Sequence, residues 1–178
     1  RRQRQMCIRD SFGTGLHQTT QLCMLQLEKY IDENSVVADL GCGSGILSVV
    51  ALLLGAKSAF AVDIDANAIK TAYENADLSG VDKSKYYVTS GNVIDDKALQ
   101  DEIGYDKYDV VVANIIADVI CAISPVVPKQ LKKGGVFIAS GIIKDRIDDV
   151  YKALAEVGLK VIDTSIKDEW VSITSIKE

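Results

Sequence analysis

A chain of 178 residues, 48% hydrophobic and 25% charged, is about one domain long and can bury one substantial core. No apolar run nears the roughly 20 residues that a bilayer span needs, and the arginine-rich start leads into no apolar signal segment. A net charge of −5 argues against non-specific nucleic-acid binding; four cysteines with no Cys-x-x-Cys pair and a single histidine argue against a zinc site and fit a reducing cytoplasm.

Residues 1–11 are basic and aperiodic and read as a tail or junction outside the fold. Residues 12–20 (FGTGLHQTT) read as a polar loop leading into a helix, with a threonine cap. Beyond them one pattern repeats: a short apolar run, a helical stretch, a glycine. Strands are predicted at 36–40, 59–63, 86–89, 108–115, 135–140, 159–164 and 170–175. Helices are predicted at 44–54, 66–78, 116–131 and 145–157, the third broken by Pro125 and Pro128. Strands alternating with helices imply a parallel sheet covered on both faces. The last two strands are joined by too few residues for a parallel crossover, so they should pair antiparallel.

The sharpest local motif is Asp39-Leu-Gly-Cys-Gly-Ser-Gly45, between the first strand and its helix. Open α/β sheets bind ligands at that edge, and Gly41, Gly43 and Gly45 let the backbone turn tightly there. A dinucleotide and S-adenosylmethionine compete for such a loop. The dinucleotide fingerprint G-x-G-x-x-G fits poorly, because the third glycine comes one residue early. Asp39 just before the loop would repel a pyrophosphate and suit an ammonium and a sulfonium. Asp63 ends the second strand 22 residues after Gly41, where a carboxylate can accept from ribose hydroxyls. Ile64 would offer an apolar surface to an adenine, Asn92 in Gly91-Asn92-Val93 would line its edge, and Asp65 reads as a helix cap.

The strings FGTGLHQTT (12–20), DLGCGSGILS (39–48), VDID (62–65), VANIIA (112–117) and SGII (140–143), with Glu169-Trp170, together resemble the ribosomal protein L11 methyltransferase family from residue 12 to the C-terminus. The resemblance implies a three-layer Rossmann-like class I methyltransferase fold, a mostly parallel seven-stranded sheet with its last strand antiparallel. It implies transfer of methyl groups from S-adenosylmethionine to lysine side chains and an N-terminal amine of ribosomal protein L11; no direct nucleic-acid or membrane partner is expected, on the grounds of net charge and the lack of a long apolar run. The resemblance implies Thr20, Gly41, Asp63 and Asn114 as cofactor-binding residues, and residues 12–17 as a loop closing over the methionine portion.

Asn114, at the end of the fourth strand, is the candidate for orienting the amine; its alternative is a cap on the following helix. His17 reads as a hydrogen-bonding or lid residue, Trp170 as sheet packing, and Cys42 has neither a base nor a metal partner to make it a nucleophile. The chain departs from the family at three points: the separate N-terminal domain that grips the ribosomal protein is absent, residues 1–11 look foreign, and Gln18 stands where proline is usual. Three rival readings stay open: another protein or small-molecule methyltransferase, a nicotinamide-dependent oxidoreductase, and a cofactor-binding fragment that recruits no substrate.

Overall fold

The computed structural model describes residues 17–178, with the backbone alone for His17. The expected tail and the FGTGL stretch lie outside the described residues. Seven strands form one sheet: β1 (Val36–Leu40), β2 (Ser58–Asp63), β3 (Tyr86–Ser90), β4 (Tyr108–Asn114), β5 (Leu131–Ile143), β6 (Leu159–Lys167) and β7 (Trp170–Lys177). Their order is β3-β2-β1-β4-β5-β7-β6. The first five run parallel, and β7 lies between β5 and β6, antiparallel to both. The expected short, non-crossover link explains the last pair: a tight turn between β6 and β7 leaves no room for a helix.

Seven α-helices accompany the described strands: α1 (His17–Tyr30), α2 (Ile46–Leu53), α3 (Asn67–Leu78), α4 (Lys97–Ile103), α5 (Ala117–Ile123), α6 (Val127–Gln130) and α7 (Ile147–Glu156). Alternate side chains of the central strands feed two separate cores. Val37, Val110, Val112 and Ile138 pack with Met24, Leu27 and Val50 on the face covered by α1, α2 and α3. Ala38, Val111, Phe137 and Ala139 pack with Ile120, Ile123 and Leu154 on the other. This is the period-two alternation of a sheet buried on both sides, so each strand reads as a continuous apolar run.

Four elements differ from expectation. Thr20 lies within α1, whose described residues run from His17 to Tyr30, and does not cap it. Helix α4 was not predicted; its seven residues bury only Leu99 and Ile103, and the Asp96 carboxylate accepts from Leu99 N at 3.1 Å to start it. The stretch predicted as one helix over 116–131 is two, α5 and α6, with Pro128 in the first turn of α6, where its missing N–H costs nothing. Its last residue, Leu131, belongs instead to β5, which is longer at both ends than the apolar run that announced it.

Helix α1 is fastened to the antiparallel end of the sheet by amides. Gln26, almost fully buried, donates to Asp163 at 2.7 Å and accepts from Thr174 at 3.2 Å. Nearer the start, Gln18 donates to Asp168. A buried amide satisfied on both sides resists sliding, because any shift leaves a polar group unpaired. No described helix is long and apolar enough to cross a membrane.

Candidate functional site

Strand order reverses between β1 and β4, and the loops after β1, β2, β3 and β4 meet at the C-terminal edge of the parallel strands. The glycine loop folds back over the end of β2. Gly41 N and Cys42 N both donate to the Val62 carbonyl, at 2.7 and 2.9 Å. Gly43 N donates to Asp63 Oδ2 at 2.8 Å, and Asp65 N donates to Asp63 Oδ1 at 2.9 Å. Each carboxylate oxygen of Asp63 is thus anchored by one amide and keeps further accepting capacity toward the crevice. Asn75 of α3 donates to the Ser44 carbonyl at 2.8 Å and holds the loop from behind.

Gly45 is the loop position where a side chain is impossible. Its φ is +78°, and a Cβ there would lie 2.6 Å from the Tyr86 hydroxyl and 2.8 Å from the Ala72 Cβ. Ala68, Ala72 and Ala76 form a small-residue stripe on α3, so helix and loop meet at backbone distance.

Asp39 does not face the crevice as the sequence suggested. It is 1% exposed, and its Oδ2 accepts from Ser48 N at 3.2 Å and Ser48 Oγ at 2.9 Å. The Ser48 hydroxyl in turn pairs with the Tyr86 hydroxyl at 2.7 Å. Asp39 therefore holds the first turn of α2 beneath the loop. Burial pushes its carboxyl up to about 6, against the lowering effect of its bonds to Ser48. Cys42 is also buried, and burial together with the Asp39 charge drives its thiol upward, away from thiolate chemistry.

A cavity of about 200 Å³ opens beside the loop. One wall is Gly41, Asp63 and Ile64; another is Gly91, Asn92 and Val93; Ile115 and Ile123 close the apolar end. Gly41 makes the close approach possible, since a Cβ there would lie 2.8 Å from Ile115 Cγ2. Ile64 is 73% exposed, an apolar side chain standing in the open at the rim. Asn92 Oδ1 accepts from Ile94 N at 3.0 Å, fixing the carboxamide in an Asx turn. Asp65 accepts from Asn67 N at 2.9 Å and serves the start of α3, as its spacing predicts.

Next to Ile115, Asn114 Nδ2 approaches Thr20 Oγ1 of α1 at 3.5 Å. Asn114 does not cap the helix that follows: the residue before α5 is Ile116, and no side chain caps that turn. Ser140, fully buried, donates from Oγ to the Thr19 carbonyl at 3.0 Å and accepts at its carbonyl from Ile115 N at 3.1 Å. The structure thus brings Gly41, Asp63, Ile64 and Asn92 around one cavity, joins Gly43 to it only through its bond to Asp63, and sets Thr20 and Asn114 together beside Ile115, with Asp39 beneath. Sequence reasoning missed Ile115, Ile123 and Ser140. Ile123 read as ordinary core; Ile115 and Ser140 carried a signal only as parts of the VANIIA and SGII strings. Trp170 packs half-buried at the start of β7, opposite Ile143 and Lys167. The side chain of His17 and the expected closing loop lie outside the described residues.

The ribosomal protein L11 methyltransferase (PrmA) profile matches residues 10–178. A ribosomal protein L11 methyltransferase of Agathobacter rectalis is 50% identical over 170 residues, covering 94% of this chain and 53% of the relative. That of Lachnospira eligens is 46% identical over 166 residues, covering 93% and 52%. The chain therefore spans about half the length of the curated relatives it matches. A crystal structure of ribosomal protein L11 methylase from Lactobacillus delbrueckii subsp. bulgaricus superimposes with a TM-score of 0.82 at 33% identity, over 93% of this chain and 81% of that one. A TehB-like SAM-dependent methyltransferase from Corynebacterium glutamicum gives 0.68 at 15% identity over 88% of each chain, a likeness of fold alone. The motifs that converge on the cavity and a profile match over nearly the whole chain agree: the chain belongs to the ribosomal protein L11 methyltransferase family.

Proposed function

We propose that this chain is the S-adenosylmethionine-dependent catalytic unit of a protein N-methyltransferase, acting on lysine side chains and an N-terminal amine of ribosomal protein L11. The observation that carries the reading is the pairing of an apolar slot with a single carboxylate at its mouth. The slot, walled by Val93, Ile115 and Ile123, suits a base; Asp63, anchored by Gly43 N, suits vicinal hydroxyls. The Gly41 backbone, which bears no Cβ, leaves room for a ligand at the turn.

S-adenosylmethionine, when bound, supplies an electrophilic methyl group. The residues of this chain position, orient and exclude water. Asp63 accepts from the ribose, Ile64 covers the base, and Asn92, its oxygen committed to Ile94, presents amide donors to the base edge. Thr20, Gly41, Gly43 and Asn114 complete the cofactor set, while Asp39 acts from below through Ser48. Asn114 also orients the amine by accepting a hydrogen bond at its carboxamide oxygen.

A lysine must lose a proton before it attacks. From a pKa of about 10.4 this costs roughly 4–5 kcal/mol at pH 7. A dry pocket lowers that cost by disfavouring the ammonium, and holding two reactants in attacking geometry contributes on the order of 7–11 kcal/mol. No further base is required by these magnitudes.

The test has two arms. Calorimetry should show micromolar binding of S-adenosylmethionine and none of NAD. Radiolabelled methyl should pass from the donor to purified ribosomal protein L11. Binding without transfer would reduce the reading to a donor-binding unit that recruits no substrate; preference for NAD would overturn it.

A further inference from the structure

Strand β5 carries an irregularity at the point where it passes Asn114. Its antiparallel pairing with β7 is steady from Val136↔Ile176 to Ala139↔Ile173, then slips to Ile142↔Val171. Two residues of β5, Ser140 and Gly141, thus oppose one of β7, Ser172, which makes a β-bulge. On its other side β5 keeps register with β4 to the pair Asn114↔Ser140. The bulge therefore faces the residue proposed to orient the amine.

Two contacts give it a specific shape. Gly141 has φ of +79°, and a Cβ there would lie 2.9 Å from Asn114 Oδ1, 2.9 Å from the Ile115 carbonyl and 3.0 Å from Ile115 N. Only a residue without that atom leaves clearance for the Asn114 carboxamide oxygen where it stands beside Gly141. Ser140 Oγ donates to the Thr19 carbonyl at 3.0 Å, fixing the turn of α1 that carries Thr20 to within 3.5 Å of Asn114 Nδ2. The two ends of one carboxamide are thus set by two adjacent residues of the bulge, the oxygen directly and the nitrogen through α1.

We propose that the Ser140–Gly141 bulge is the positioning element for Asn114, with Gly141 setting the carboxamide oxygen and Ser140 setting its Thr20 neighbour. The proposal rests on the reading of Asn114 given above. Bulges beside functional sites commonly re-aim a side chain, and a misplacement of about 1 Å can cost 100-fold in rate.

Strain alone is separable from positioning because the chain supplies its own control. Gly158, exposed between α7 and β6, has the same φ of +79°, and a Cβ there would meet nothing within 4 Å. Gly158→Ala carries the backbone strain without the contact. The test compares Gly141→Ala, Gly158→Ala and Ser140→Ala, each alone and with Asn114→Ala, by thermal unfolding and by methyl transfer to ribosomal protein L11. Gly141→Ala should lower Tm more than Gly158→Ala, and the excess should shrink when Asn114 is truncated. In transfer, Gly141→Ala should reduce kcat about 10- to 100-fold with KM within about threefold, while Gly158→Ala leaves kcat unchanged. In the Asn114→Ala background neither Gly141→Ala nor Ser140→Ala should lower kcat further.

Equal Tm losses for the two glycines, or the same excess with and without the Asn114 side chain, would overturn the proposal. So would a full loss of kcat on top of Asn114→Ala. If Gly141→Ala does not fold, Ser140→Ala decides by the same cycle: a several-fold fall in kcat that Asn114→Ala abolishes supports the proposal, and an additive fall overturns it. If the parent chain transfers no methyl, the unfolding cycle still tests the positioning, and only the functional reading fails.

Discussion

The proposed donor and acceptor sides of the crevice are assembled over different distances along the chain. On the donor side, Asp39 meets Ser48 nine residues on, and Gly43 meets Asp63 twenty residues on. On the acceptor side, Thr20 meets Asn114 across 94 residues and Ser140 reaches Thr19 across 121. The first set is closed by one strand–turn–helix–strand unit. The second depends on α1 lying correctly over β5, β7 and β6, and so on the glutamine contacts that hold it there. A local unit returns to its geometry whenever it folds, whereas a side assembled from remote elements loses its geometry by small shifts.

The comparison breaks most visibly at Asn114. Asn114→Ala should remove the contact proposed to orient the amine and, of the donor contacts, only the one assigned to Asn114, leaving those proposed for Asp63, Ile64 and Asn92. Methyl transfer should fall on the order of 100- to 1000-fold, with donor affinity changing only a few-fold. Parallel loss of binding and transfer in steady-state kinetics and calorimetry would show that the two sides are one.

The reverse separation belongs to Asp63. Asp63→Ala removes the carboxylate that joins the glycine loop to β2 and that the proposed function sets against the ribose. Hydrogen bonds to a charged group contribute about 1.5–3 kcal/mol each, so donor affinity should drop roughly 100-fold by calorimetry. Unchanged affinity would sink the assignment of this cavity. Asp63→Asn, which keeps one accepting oxygen for Gly43 N, should recover part of the loss.

A third separation uses pH. The Asp39 carboxyl, raised to about 6 by burial, binds its proton more tightly in the folded chain than in the unfolded one, where about 3.9 is ordinary. Between those values the folded state holds more protons, so this group's contribution to stability falls as pH rises from about 4 to about 6 and is constant above. The total is about 3 kcal/mol. Asp39→Asn removes the titration and leaves an oxygen for Ser48. The Tm of the variant minus that of the parent should therefore increase by roughly 6–12 °C between pH 4 and pH 7. A difference independent of pH would mean that Asp39 is not buried beneath the loop.

What the sequence disclosed follows the same division. All seven strands were legible because burial on both faces leaves unbroken apolar runs such as YDVVVAN. The loop and Asp63 were legible because their spacing within one βαβ unit is fixed by chain geometry. The role of Asp39 was not, because a carboxylate before a glycine turn looks the same whether it faces ligand or core; only the position of Ser48 decides. Helix α4 hid because its single turn-to-turn pair, Leu99 and Ile103, is too short a period to register. Ser140 and Gly141 were visible as part of a family string, but the effect proposed for them on Asn114 rests on pairing between β4 and β5, and register across a sheet is not written locally. Thr20 was matched by motif, yet its place inside α1 shows that the helix starts earlier than a threonine cap suggested.

The smallest expected effect lies at Ile64. It stands 73% exposed at the rim of the cavity, an arrangement that gains nothing for the free chain. Truncation to alanine should accordingly leave Tm within the range of an ordinary surface change, about 0.5 kcal/mol either way. If a base lies against this side chain, binding buries apolar area that alanine lacks, and about 25 cal/mol per Å² over a few tens of Å² comes to about 1 kcal/mol. Donor affinity should fall about fivefold while the rate of transfer from bound donor stays constant, because the contact is equal before and during reaction. Titrating the variant with S-adenosylmethionine and with adenosine separates the possibilities. A loss shared by both ligands places the base on Ile64. A loss confined to the full donor would move the contact to the methionine end, closer to Thr20 and Asn114, and would redraw the boundary between the two sides.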